Sequence, residues 1–411
     1  MTPKSDHTWG HTTPFCDEYF ENVRNLLETT VVEIPVWTAV ADRAVHTIQS
    51  GYNVHANITT GHMPTAELSN DREGNPAPFI FQGPDHHTPE QYAAMRSGDL
   101  LLTNCVTPAV REVRDRGVYV CVFTTPYVES GTAPSGEVVE NPEGLLPEGV
   151  ANEVIQTHIP WEQGLVHVPE VPEMKLFPAS SNVSCSIHWC LTAEVMQSLG
   201  TNSSPDGSKA REYLEVLITR LEKMNDQNQP LIMDEAVGLA KNVINGGHID
   251  VNGSNEGVRS ETHSVAQGLM LTCAHSLRSL DEGGNKDALI ITSVSADHPQ
   301  ELAWARQAKD NGNRLIAVGM EPSTELQRLS DCYLSNACHE EDGVVEVAGC
   351  EESICPTSGI INNVITQMLL AQMTDELCRR GAVPYFYMGV YRTGGSEYNG
   401  LFRRHFEARG Y

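Results

Sequence analysis

The sequence predicts an α/β protein in which a doubly wound parallel sheet is built twice, in tandem. Three observations carry that prediction. Near-continuous β-rich apolar runs such as DALIITSVS (287–295) read as strands buried on both faces of a parallel sheet. These runs alternate with stretches of helical period, the pattern of repeated βα units. Landmarks also recur between the halves: Gly51 and Gly61 are ten residues apart, as are Gly247 and Gly257, and Asp99 heads its strand as Asp287 does. The join is expected in the turn-rich TNSSPDGSKA (201–210), which gives domains at 16–205 and 206–411.

The elements follow in order. Val36, Val40, Ala44, Val45 and Ile48 recur at helical spacing up to Gly51, closing a helical pair, and YNVHANI follows as a strand. GDLLLTNC (98–105) and VYVCVFT are the next strands, with a short helix between them. The Pro-, Gly- and Glu-rich stretch 129–149 reads as a surface loop. A strand piece, VHV, and a helix carrying Val183, Ile187, Leu191 and Val195 close the first half.

In the second half, Tyr213, Leu214, Leu217, Ile218 and Leu221 mark one helix. Ile232, Ala236, Leu239, Ala240, Val243 and Ile244 mark another, which stops at Gly246-Gly247. HIDVNG (248–253) is a strand, followed by a Gly-bounded turn and a polar helix from about Arg259. After 287–295 come a helix over 299–309, the strand RLIAVGM and a fourth strand, GVVEVAG. Ile360, Ile361, Val364, Ile365, Met368, Leu369 and Met373 stripe a last long helix, with Ile360/Val364 spaced as Val183/Ile187 are.

Composition narrows the function. The 411 residues hold 27 Lys and Arg against 54 Asp and Glu, a net charge of −27, so DNA or an acidic membrane is repelled over most of the surface. An anionic ligand must be held locally, by backbone amides, hydroxyls or a placed cation. No run of apolar residues is long enough to cross a bilayer, and MTPKSDHTWGHTTPF has no secretory h-region. Eleven cysteines without a Cys-x-x-Cys do not read as a disulfide framework, so a cytoplasmic location is expected. His7, His11, His86 and His87, with Asp85, match no zinc spacing, so no metal is expected. Neither a Walker loop nor the dinucleotide triple glycine is present, so no cofactor is expected.

The run DALIITSVSADHPQELAWARQAKDNGNRLIAVGM is similar to the second strand, Ser-rich loop, helix and third strand of the sugar-isomerase (SIS) phosphosugar-binding domain. The closing run from SGIINNVITQMLL to the C-terminus, with TTGHMPTAEL and MRSGDLLLTNC earlier, resembles an uncharacterised bacterial branch of that superfamily. The resemblance implies a flavodoxin-like, five-stranded parallel sheet in each half. It also implies a pseudo-dimer of two such domains within one chain, and assembly into a homo-oligomer. It implies a phosphosugar ligand, while the net charge and the lack of a long apolar run give the expectation of no nucleic-acid or membrane partner. Members isomerise aldose and ketose phosphates, act as related lyases, or only sense phosphosugars.

Ligands of open α/β sheets bind beyond the carboxyl ends of the strands. The resemblance points there to Gly253, Ser254, Asn255 and Arg259 on one loop, and to Ser293 and Ser295 on the next. Ala296 stands where the family has glycine. Thr60 and Thr103 hold the corresponding places in the first half, where a structural domain is expected more than a second working site. Isomerisation needs a proton-transfer group, for which Glu256 and His405 are the candidates.

Overall fold

The structure is a computed structural model that describes residues 13–58, 63–81, 88–124, 131–132, 138–139, 145–160, 163–254, 256–262, 265–272, 286–339, 342–390 and 392–408. Most of the predicted loop 129–149, the histidines at 7, 11, 86 and 87, and Thr60 and Asn255 lie outside them.

Helices α1 (Phe15–Thr30) and α2 (Ile34–Gln49) lead into the first half. Five strands follow in its sheet: β1 (Val54–Asn57), β2 (Ile80–Phe81), β3 (Leu100–Thr103), β4 (Tyr119–Phe123) and, further on, β7 (Glu153–Ile155). They are all parallel, in the order β2-β1-β3-β4-β7. The short helices α3 (Pro64–Glu67), α4 (Pro89–Ala94), α5 (Pro108–Asp115) and α6 (Pro147–Val150) and the ribbon β5 (Gly131–Thr132)–β6 (Val138–Val139) lie between them. The antiparallel ribbon β8 (Gly164–Val166)–β9 (Leu176–Pro178) then feeds α7 (Ser180–Thr201).

The second half repeats the plan. After α8 (Ser208–Ile244), the strands β10 (Ile249–Gly253), β11 (Ala288–Thr292), β12 (Arg314–Gly319) and β13 (Cys332–Ser335) lie side by side, all parallel. Between them run α9 (Glu256–Thr262), α10 (Pro299–Asp310) and α11 (Thr324–Leu329). The ribbon β14 (Gly343–Val345)–β15 (Ile354–Pro356) feeds α12 (Ser358–Arg379), and α13 (Gly395–Ala408) closes the described chain.

Shared local chemistry explains the recurring landmarks. Asp99 accepts from the Asn53 amide, one residue before β1, at 3.0 Å. Asp287 accepts from the His248 amide, one residue before β10, at 2.7 Å. Each carboxylate thus pins the start of the neighbouring parallel strand, where the ladder leaves a donor unmatched. The two ribbons agree as well: Gly164 pairs with Pro178, as Gly343 does with Pro356. A Cβ at Gly164 would meet the Lys175 carbonyl oxygen at 2.2 Å, and one at Gly343 would meet the Ser353 carbonyl oxygen at 2.0 Å. Only glycine allows that approach at either place.

One apolar core runs through both halves, from Trp37 and Val54 in the first to Ile290 and Met368 in the second. Helix α1 packs on α12 across the halves, and α8 packs on both α7 and α12. The outer faces of the two sheets carry separate clusters, around Val110 and Val120 in one and Leu289 and Leu302 in the other.

Three expectations are corrected. The two helices read before Gly246 are one 37-residue helix with Pro230 inside it. Proline removes one helical hydrogen bond, and here packing along α7 and α12 outweighs that loss. GVVEVAG supplies a ribbon strand rather than a sheet strand; the fourth parallel strand is β13. Among the described residues the second sheet has four strands, not five.

The ribbon geometry yields a test. Gly343→Ala forces two backbones apart and is expected to cost about 1–3 kcal/mol, the usual penalty for overpacking. Gly149→Ala, with open space around it, is expected to stay within about 0.5 kcal/mol of wild type. Urea denaturation of the two variants makes the comparison.

Candidate functional site

The loops after β1, β10 and β11 open into one cleft of about 520 Å³ between the halves. The first half lines it with Thr65, Ser69, Asp71, Arg72 and Glu73. The second half contributes Ser254, Ser260, Ser295 and His298. The carboxyl ends of parallel strands thus supply one wall, as the position of ligands in open sheets requires.

Arg72 holds the first wall. It is buried, donating to Glu67 (3.1 Å) on its own side and to Asp342 (2.7 Å) and Ser358 Oγ (2.8 Å) across the halves. Asp342 also accepts from the Thr357 and Ser358 amides at the start of α12, and Arg220 of α8 stands 4.0 Å from it. Two facing carboxylates hold the Arg72 guanidinium firmly protonated. Glu67 packs directly on Gly359, where any Cβ would overlap its Oε2.

Glu301 holds the second wall. It lies in the first turn of α10, fully buried, and its Oε1 accepts both the Ser254 amide (2.9 Å) and the Ser254 hydroxyl. Burial raises its carboxyl above the ordinary 4.5, and the Ser254 and Ser293 hydroxyls and His298 oppose that rise. Ser293 donates its own hydroxyl to the Ser295 carbonyl at 2.6 Å. Asp297 turns away from the cleft to cap α11, accepting from the Glu325 and Leu326 amides at 3.0 Å. Glu261 of α9 is buried and accepts from the Met63 amide at 3.3 Å, tying α9 to the loop after β1.

Of the residues expected from sequence, the cleft brings together Ser254 and Ser295, with Ser293 and Gly253 immediately behind them. Arg259 and Glu256 belong to α9, whose Ser260 faces the cleft. Thr103 does not line it. That residue is fully buried at the mouth of the first sheet, where its hydroxyl accepts from the Cys105 amide at 3.0 Å. Beside it, Asn57 reaches Tyr92 Oη at 3.5 Å. His405 is exposed on α13, edge-on to Tyr385, and is absent from the cleft lining. Sequence reasoning missed Arg72, Ser260, His298 and Glu301. His298 and Glu301 flank Pro299 in the DHPQEL segment, where a proline at a helix start marks the residues that overhang a strand end.

The fold, with two parallel sheets in one chain, is shared with solved structures that cover most of it. The C-terminal domain of glucosamine-fructose-6-phosphate aminotransferase from Francisella tularensis superposes over 90% of this chain and 97% of its own, with a TM-score of 0.51 at 11% identity. A proposed phosphosugar isomerase of Clostridium difficile 630 covers 90% and 96%, with a TM-score of 0.50 at 9% identity. Among curated proteins, a UPF0309 protein of Listeria monocytogenes is 24% identical over 124 residues, 28% of this chain and 53% of its own length. One of Shouchella clausii is 28% identical over 131 residues, 29% of this chain and 53% of its own. The chain thus spans about half the length of the curated relatives it matches. No protein-family profile matches the sequence. Among the described residues no helix is long and apolar enough to cross a membrane, and no group of His, Cys, Asp and Glu could hold a metal.

Two stability tests follow from the walls. Arg72→Met removes the buried cation shared by Glu67 and Asp342, leaving Arg220 at 4.0 Å from Asp342, and is expected to cost about 3–5 kcal/mol in chemical denaturation. Glu301→Gln removes a carboxyl whose folded pKa is raised. Above 4.5 the folded state binds this proton more tightly than the unfolded state, so wild type loses stability as pH rises through that window. The difference in unfolding free energy between Glu301→Gln and wild type is therefore expected to grow in the variant's favour from pH 5 to pH 7.5.

Proposed function

We propose that the cleft between the halves binds a phosphorylated sugar and interconverts its aldose and ketose forms. The observation that carries this reading is the convergence of five hydroxyl side chains, Thr65, Ser69, Ser254, Ser260 and Ser295, on one cleft of metabolite size with Arg72 and His298 beside them. Hydroxyls at strand ends suit a ligand that is itself densely hydroxylated, and Arg72 and His298 put positive or protonatable groups in the same cleft. The names of the two proteins with the shared fold point to the same substrate class.

Isomerisation moves a proton between adjacent sugar carbons through an enediol, which calls for one group that takes and returns it. Glu256 opens α9 two residues beyond Ser254, and His298 lines the cleft; these two are the proposed proton-transfer groups. A non-catalytic sensor is the second reading. It is favoured by the commitment of the Ser254 and Ser293 hydroxyl protons to acceptors within the protein.

A thermal-shift screen over pentose and hexose phosphates tests binding, and exchange of the C2 hydrogen with solvent tests catalysis. A rise in melting temperature is expected with at least one sugar phosphate. Ser295→Asp is expected to weaken that ligand at least about tenfold, or about 1.4 kcal/mol. His298→Gln is expected to keep binding while losing exchange. No shift with any sugar phosphate overturns the proposal, and binding without exchange in wild type selects the sensor.

A further inference from the structure

We propose that Glu301 is the specificity-determining residue of the cleft: it makes the head of β10 an acceptor surface that takes sugar hydroxyls and turns the phosphate group away. The inference rests on the phosphosugar reading and states which end of that ligand meets which wall.

An anion at the end of a parallel strand is held by backbone N–H groups and hydroxyl protons. At the head of β10 the Ser254 amide and the Ser254 hydroxyl both go to the same oxygen of Glu301. The neighbouring strand end is spent in the same way, since the Ser293 hydroxyl donates to the Ser295 carbonyl. A serine that has donated its one proton offers only lone pairs. Lone pairs accept from a sugar hydroxyl and repel a phosphate oxygen.

Glu301 is not a surface side chain resting on the loop. Its exposure is 0%, and it reaches inward from the first turn of α10. An ionised carboxylate in that place acts on an incoming phosphate through little intervening water, where like charges repel far more strongly than in bulk solvent. Asp71 and Glu73 also line the cleft, and the Arg72 charge is divided between Glu67 and Asp342.

Isothermal titration calorimetry with inorganic phosphate and with a panel of pentose and hexose phosphates tests the assignment on wild type, Glu301→Ala, Glu301→Gln and the double variant Glu301→Ala/Ser254→Ala. Removing the carboxylate frees the Ser254 amide and hydroxyl. Glu301→Ala is therefore expected to bind inorganic phosphate at least about tenfold more tightly than wild type. The double variant is expected to lose most of that gain. Glu301→Gln keeps the shape without the charge, so it preserves the test if the alanine variant misfolds, and a smaller gain is expected from it. Unchanged or weaker phosphate binding in the folded single variants overturns the assignment. If wild type binds a sugar phosphate and neither variant gains phosphate affinity, the assignment fails while the phosphosugar reading stands. If the variants gain phosphate affinity and no sugar phosphate binds any of the proteins, the phosphosugar reading fails and only the exclusion of phosphate by Glu301 stands.

Discussion

The two halves of this protein meet over a buried cation. Arg72 sits between a carboxylate of its own half and one of the other, and Ser358 at the start of α12 completes its hydrogen bonds. A guanidinium taken out of water is costly unless planar acceptors meet it on more than one edge. Glu67 and Asp342 do so, and each is fixed in turn, one against Gly359 and the other by the first amides of α12. The requirement sets the distance between the loop after β1 and the N-terminus of α12. The cleft beside it inherits that spacing.

The central helices show how polar groups become structural once they are buried. Helix α12 has Asn362, Asn363, Thr366, Gln367, Gln372 and Thr374 inside the protein. Asn362 donates to the Ser293 carbonyl, Asn363 to Asn182 of α7, and the threonines to carbonyls one turn back. Satisfied in this way, such groups fix the rotation of one helix against another, which apolar side chains alone do loosely. The contact from Asn362 also carries the position of α12 to the end of β11, where the Ser-rich loop begins.

Much of the fold was legible in the sequence, because buried parallel strands leave unbroken β-rich runs and because Asp99 and Asp287 perform one task twice. Continuity of α8 was not, since Pro230 reads locally as a stop and only packing on two other helices overrides it. The ribbons β8–β9 and β14–β15 were only half visible. Their second strands are three residues long, and their glycines report a close approach that only coordinates reveal. Ser254 and Ser295, to which the family resemblance pointed, line the candidate cleft. Arg72 and Glu301 could not be found from the sequence, since a charged residue in a helical or loop segment looks like solvent-facing surface until its partners are placed.

The mouths of the two sheets differ. In the second half it opens into the cleft, whereas in the first Thr103, Asn57, Tyr92 and Cys105 are engaged with one another. A pair of identical subunits must offer the same mouth twice, but a fused pair is released from that symmetry. One half can then serve wholly as a template for the other. Under the proposed function, the cleft between the halves would then take one ligand per polypeptide.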